Sequence, residues 1–269
     1  MFRNLLFFLF LVTLFASLSL NATCKKPTRA NPKVQAKAAV LVDAANGKIL
    51  FSQNSLAIMA PASTTKIMTA VLVLEHLSLA KTIKISHPPT EGTSMRLKNG
   101  ERKTVRELLY GLMMVSGNDA ATELAEAVSG SEANFAKLMT AKAKLIGMKN
   151  TVFKNASGLP VIGHATTALD MAVLTRYALR KQEFCKIVKT KNINISGPKP
   201  GTVRRLKNHN KLLWKYPYAI GVKTGYTVNA GGCLVAAARY GGKVLIAVVL
   251  KTGPIYNDCI AMFRYGFSR

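Results

Sequence analysis

AIGVKTGYTVNAGGCLVAAARYGGKVLIAVVL, residues 219–250, holds three runs that alternate or are solidly aliphatic and β-branched, with Gly between them. Such runs read as neighbouring strands of one sheet. IVKTKNINI, at 187–195, has a similar pattern and reads as a fourth. At the other end of the chain KAAVLVDAANGKILFSQN, 37–54, is two strand-like runs around a turn with Asn46 and Gly47, residues that tolerate positive φ. Between these ends the apolar spacing turns helical. The spacing predicts a helix over 67–79 that is apolar on nearly every face and so central to a core. Further helices are expected over 105–115, with Thr104 and Glu107 as a capping box, over 120–128, over 131–146 with Gly147 as its stop, and over 167–180. A closing helix covers 255–267. Strands at both ends with helices between predict an α+β fold: an antiparallel sheet completed by the N-terminal hairpin, flanked by helices, with a helical subdomain.

With 269 residues, 49% hydrophobic and only 7% aromatic, the chain has material for one large globular domain and is not a disordered chain. Its net charge of +26 is dispersed along the chain, so polyanions are the expected partners. MFRN followed by LLFFLFLVTLFASLSL, residues 5–20, is short for a spanning helix and reads as an export signal, with cleavage after Ala22. An uncleaved N-terminal anchor and lipidation at Cys24 are the alternatives. The chain then divides into a signal over 1–22, a polar linker over 23–36 and a catalytic domain over 37–269. Export to the periplasm or cell envelope makes nucleic acid an unsuitable partner and leaves wall polymer or a membrane surface. Cys24, Cys185, Cys233 and Cys259 have no close paired spacing, which argues against zinc; a disulfide among the last three is open.

Three short motifs carry the chemistry. PASTTK, 61–66, opens the apolar helix. Ser63 there reads as the helix cap, and the same placement sets it one turn from Lys66, which could serve as its base if burial lowers the amine's pKa. Ser116-Gly117-Asn118 interrupts two helices and offers a hydroxyl for proton relay and an amide able to hold a peptide group. Lys223-Thr224-Gly225 lies on a strand, where a cation, a hydroxyl and a missing side chain suit an edge that takes an extended substrate. Alone, each reads more simply as a cap, a helix breaker or a strand end. A second Lys-Thr-Gly at 251–253 runs into Pro254 and reads as coincidence. In this order, and in these contexts, SxxK, SxN and KTG form the motif set of serine acyl-transfer enzymes that react with penicillin.

On those residues the chain resembles the D-alanyl-D-alanine carboxypeptidases, low-molecular-mass penicillin-binding proteins. The likeness extends through VLVDAANGKILFSQN, PASTTKIMTAVLVLE, SGNDAATELAE, AKAKLIGMKNTVFKNASGLP, HATTALDMA, LLWKYPYAIGVKTGYT and FRYGF, covering roughly 37–267. The resemblance implies the transpeptidase-like fold shared by β-lactamases and penicillin-binding proteins. It implies that Ser63 attacks the carbonyl between two D-alanines of a peptidoglycan stem peptide, with Lys66 as proton acceptor and Ser116 returning the proton to the leaving amine. Asn118 would hold the substrate amide, Lys223 and Thr224 the terminal carboxylate, and the backbone N–H groups of Ser63 and of Tyr226, just after Gly225, the oxyanion. No metal or organic cofactor is implied, and β-lactams become covalent inhibitors. D,D-endopeptidase and β-lactamase activity are the alternatives on the same fold.

Three departures from the family pattern stand out. Asn208-His209-Asn210 replaces a usual Asn-Arg-Asn, so His209 is either a pH-dependent carboxylate partner or structural. Relatives of the larger type append a β-rich second domain and a C-terminal amphipathic membrane helix, neither of which is expected here, and no Glu-bearing deacylation loop of the class A β-lactamase type is recognisable. His76, His87, Asp170 and Arg176 read as structural or surface residues, His164 as a positioner of the loop before the helix at 167, and Met113 and Met114 as core.

Overall fold

The period-2 alternation of the aliphatic runs decides the architecture, because each strand presents alternate side chains to opposite faces. In the computed structural model, which describes residues 30–86, 88 and 91–269, β1 (Ala38–Asp43) and β2 (Ile49–Gln53) form the N-terminal hairpin. The C-terminal strands β7 (Ala219–Thr227), β8 (Gly231–Tyr240) and β9 (Lys243–Thr252) join them in one antiparallel sheet of order β2-β1-β9-β8-β7. The hairpin enters through β1, whose Val40 pairs with Val248 of β9. The export signal expected at 1–22, the first half of the expected linker and His87 lie outside the described residues. Within the described part of that linker, the Gln35 and Ala36 amides donate to Asp258, so packing begins before residue 37.

The two faces of the sheet bury different partners. Val40, Val42, Val235, Ile246 and Val248 face the helices on one side, and Leu41, Leu234, Leu245 and Val249 face the C-terminal helix on the other. That helix, here α8 (Ile255–Phe267), as expected, lays Cys259, Met262 and Phe263 on the sheet. It approaches closely: a Cβ on Gly266 would sit 2.6 Å from Leu245 Cδ1 and 2.7 Å from Leu41 Cδ2.

The opposite layer is built around α1 (Lys66–His76), whose residues from Lys66 to Val73 are all buried. Around it stand α2 (Val105–Met114), α3 (Asn118–Ser129), α4 (Glu132–Leu145), α5 (Ala168–Ala178) and α6 (Gln182–Lys189). The expected capping box on α2 holds, closed by Thr104 and Glu107, and Gly147 takes a left-handed φ after α4; Ser131 and Thr167, expected as first helical residues, are instead the N-caps of α4 and α5. Two short strands, β3 (Thr82–Lys84) and β4 (Arg102–Thr104), form a separate ribbon. Met113 and Met114 lie in the core, Asp170 accepts from the Lys149 and Asn150 amides, and Arg176 donates to the carbonyls of the Ala44–Ala45 turn.

Two expectations about the C-terminal half need correction. The run over 187–195 is no strand of the main sheet. Its first residues end α6, because Phe184, Ile187 and Val188 fall on one helical face and are buried together. The rest, β5 (Asn192–Ser196), pairs with β6 (Val203–Lys207) in a hairpin of its own, followed by the short α7 (Leu212–Lys215). A buried Lys103 pins that hairpin by donating to the Ser196 and Gly197 carbonyls. The possible disulfide does not form either: Cys185, Cys233 and Cys259 are free thiols.

Candidate active site

The α-helix does not begin at Ser63. Residues Ala62–Thr65 form a 3-10 turn, α1 starts at Lys66, and neither start has a side-chain cap. Ser63 is therefore not an N-cap. The tighter turn leaves its hydroxyl free to face the cavity, where Oγ lies 3.1 Å from Lys66 Nζ. The turn is entered through Ala62 at φ 47°, a left-handed conformation uncommon for a residue with a side chain and held here by its surroundings. Gly158 is part of them, since a Cβ there would lie 1.9 Å from the Ala62 carbonyl oxygen. Two residues on from Ser63, Thr65 Oγ1 is 3.0 Å from His164 Nε2. The Lys154 amide donates to Nδ1 of that ring, so Nε2 carries the proton and donates. Burial, with help from Lys154, lowers His164 to about 4, and the ring stays neutral.

Lys66 is fully buried. Its Nζ also donates to Asn118 Oδ1 at 2.7 Å and to the Ser157 carbonyl at 2.5 Å. Asn118 Nδ2 donates to the Glu91 carbonyl, which fixes the amide with its oxygen toward the lysine. Both partners of Lys66 other than Ser63 are thus acceptors only. A neutral amine keeps two N–H groups, and Asn118 and Ser157 take both, so its lone pair is directed at Ser63 Oγ. Burial depresses the Lys66 pKa well below its usual value, and Lys223 lowers it further; Asp119 and Glu132 oppose the shift.

SGN sits at the junction of α2 and α3, as expected from the sequence, with Ser116 at φ 62° and Asn118 opening α3. Asp119 locks this turn to the facing segment by accepting from Ser94 Oγ and from the Met95 and Leu97 amides. KTG lies on β7, an edge strand of the sheet. Gly225 is required by contact: a Cβ would come 2.9 Å from the Ser63 amide nitrogen and 3.1 Å from that of Thr64. Lys223 is buried, its Nζ donates to the Thr224 carbonyl at 2.8 Å, and burial lowers its pKa to about 7.

A cavity of about 420 Å³ brings together Ser63, Ser116, Thr224, Gly225, Tyr226 and His209. Lys66, Asn118 and Lys223 lie behind its wall rather than on it. Tyr226 projects its ring outward, 72% exposed, so what it brings to the site is backbone. Burial and Lys223 lower the His209 pKa. The second Lys-Thr-Gly is nearer than its sequence suggested: Thr252 and Gly253 line the same cavity, although the Thr252 hydroxyl is taken up by Asp258. The Ser157 and Glu91 carbonyls and the Asp119 carboxylate were not picked out from the sequence. Main-chain acceptors leave no residue-type signature, and Asp119 directly after SGN reads as an ordinary first-turn acid.

A family model described as D-alanyl-D-alanine carboxypeptidase matches residues 25–253. The chain is 43% identical over 225 residues to D-alanyl-D-alanine carboxypeptidase DacF of Bacillus subtilis, covering 80% of this chain and 57% of that protein. It is 37% identical over 279 residues to D-alanyl-D-alanine carboxypeptidase DacC of Escherichia coli, covering 97% of this chain and 66% of that one. It thus spans a little over half to about two thirds of these two relatives. Among solved structures, the Streptomyces K15 DD-transpeptidase superposes with a TM-score of 0.84 at 32% identity, covering 89% of this chain and 100% of that one.

Proposed function

Because the chain belongs to the D-alanyl-D-alanine carboxypeptidase family, we propose that it is an exported serine D,D-carboxypeptidase that removes the terminal D-alanine from peptidoglycan stem peptides. The observation that carries this reading is the buried Lys66 amine, with its two other contacts fixed as acceptors and its remaining position facing Ser63 Oγ at 3.1 Å. A lysine held that way acts as a base, because desolvation disfavours its charged form.

In the proposed reaction the Lys66 lone pair takes the Ser63 proton as Oγ bonds to the carbonyl carbon between the two D-alanines. The oxyanion is held by the Ser63 and Tyr226 amides. Collapse breaks the C–N bond, and the proton returns to the leaving amine through Ser116, whose hydroxyl shares the cavity. Water then cleaves the ester, with Lys66 again accepting the proton. The substrate carboxylate faces Thr224 and the Lys223 ammonium, with His209 at the cavity wall. Asn118 spends its oxygen on Lys66 and one amide N–H on Glu91, so its first role here is to orient the base; its second N–H is left to donate to a substrate carbonyl. β-Lactams acylate the same serine and deacylate slowly. Export rests on the apolar run over 5–20, outside the described residues.

The test is release of D-alanine from a soluble stem pentapeptide, read beside penicillin consumption. Release of one D-alanine per peptide, with penicillin consumed once per enzyme, supports the assignment. Repeated penicillin turnover would make the protein a β-lactamase. Cleavage of cross-linked dimers without D-alanine release would make it an endopeptidase.

A further inference from the structure

Between Glu183 and Asp258 the chain contains no acidic residue. The structure gathers part of this basic stretch around Trp214, the only tryptophan of the chain and 42% exposed. Lys191 and Lys207 each place Nζ 5.9 Å from the centre of the Trp214 ring. A cleft of about 560 Å³ beside the ring is lined by Lys207, His209, Lys211 and Lys215. A second, of about 690 Å³, reaches the same ring from the side of Lys191. None of these lysines has an acidic partner among the described residues. His209 lines both the first cleft and the cavity of Ser63, so the two meet at that residue.

We propose that this cleft is a binding site for an anionic glycan strand, with a sugar face on the Trp214 ring and strand carboxylates on Lys191, Lys207, Lys211 and Lys215. An indole with ammonium groups beside it offers an apolar plane and adjacent positive charge, which matches a saccharide that carries acids. The site is concave, and a polymer strand can enter it where a flat bilayer cannot. The choice of glycan rests on the peptidoglycan reading above: a strand whose stem-free muramyl units lie in the cleft, with their lactyl carboxylates on the lysines, holds the stem peptides of neighbouring units within reach of His209 and Ser63. Four clustered lysines also speed the encounter with a polyanion at low salt.

The experiment uses the full chain carrying Ser63→Ala, so that binding is read without acylation. Trp214 fluorescence is titrated with stem-free murein strands, whose muramyl lactyl carboxylates are free. The expected result is a saturable change that weakens as NaCl rises and is at least tenfold weaker in Lys191→Ala/Lys207→Ala, with the melting temperature of that variant unchanged. Uncharged chitin oligosaccharides should bind at least tenfold more weakly. No saturable change, equal affinity for chitin oligosaccharides, or equal affinity in the lysine variant would overturn the site. A response to phosphatidylglycerol vesicles but not to the strands would overturn it in favour of a membrane surface. Failure of the catalytic reading would appear separately, as intact protein that never releases D-alanine.

Discussion

Asn118 Oδ1 lies 2.7 Å from Lys66 Nζ, and the same amide is turned by its bond to the Glu91 carbonyl so that only oxygen can face the lysine. A neutral acceptor at that point orients the amine without charging it. Replacing it by a carboxylate, Asn118→Asp, favours the ammonium form and raises the Lys66 pKa. The midpoint of the rising limb of penicillin acylation against pH is expected to move up by about one unit or more. An unmoved midpoint would mean that this limb does not report Lys66.

Lys66→Arg keeps a basic side chain at this position but removes its ability to lose a proton near neutral pH. Acylation of Ser63, followed with a fluorescent penicillin, is expected to fall by at least 10³-fold, the order attached to losing a general base. A rate within tenfold of the parent would show that another group takes the proton.

In the proposed reaction two lysines are expected to give opposite limbs to the pH profile of kcat/KM for a stem peptide. Lys66 must be neutral, so activity rises with pH through its lowered pKa. Lys223 must be charged to hold the carboxylate, and its pKa is lowered to about 7, so activity falls as pH rises past that value. A peptide with an amidated C-terminus lacks the carboxylate and is expected to lose the falling limb while keeping the rising one. Identical profiles for the two peptides would remove Lys223 from carboxylate binding.

Glu101 accepts from Lys103 and Arg204 at 2.8 Å each, inside the wall that supports the β5–β6 hairpin. Burial alone would raise its pKa, but hydrogen bonds from Arg204, Lys103 and the Lys98 amide outweigh it and lower the carboxyl from 4.5 to about 2. A depressed carboxyl stabilises the fold fully above its unfolded pKa and loses that contribution as pH falls toward about 2. Glu101→Gln leaves Lys103 buried without its anion and is expected to cost about 3 kcal/mol at pH 7. The gap to the parent should narrow on acidification below about 4.5. A constant gap across that range in chemical unfolding would contradict the assignment.

The sheet, the buried helix and the capping residues were legible because they follow from local spacing and residue type: unbroken aliphatic runs between glycines in β8 and β9, continuous apolarity in α1, Thr104 and Glu107 on α2. The three motifs likewise converge on one cavity and the wall behind it. What the sequence did not show depends on tertiary contact. Ile187 and Val188 fit a strand or a helix equally well until Phe184 packs beside them in α6. Ser63 looks like a cap until the 3-10 turn, held against Gly158 and Gly225, moves the helix start to Lys66.

The most direct measurement is intact-protein and peptide mass spectrometry after brief exposure to benzylpenicillin. One added penicillin on the peptide containing Ser63, absent from Ser63→Ala and nearly absent from Lys66→Arg, is the expected result. An unmodified protein, or a label that persists in Ser63→Ala, would contradict the Ser63 acyl-enzyme and with it the proposed function.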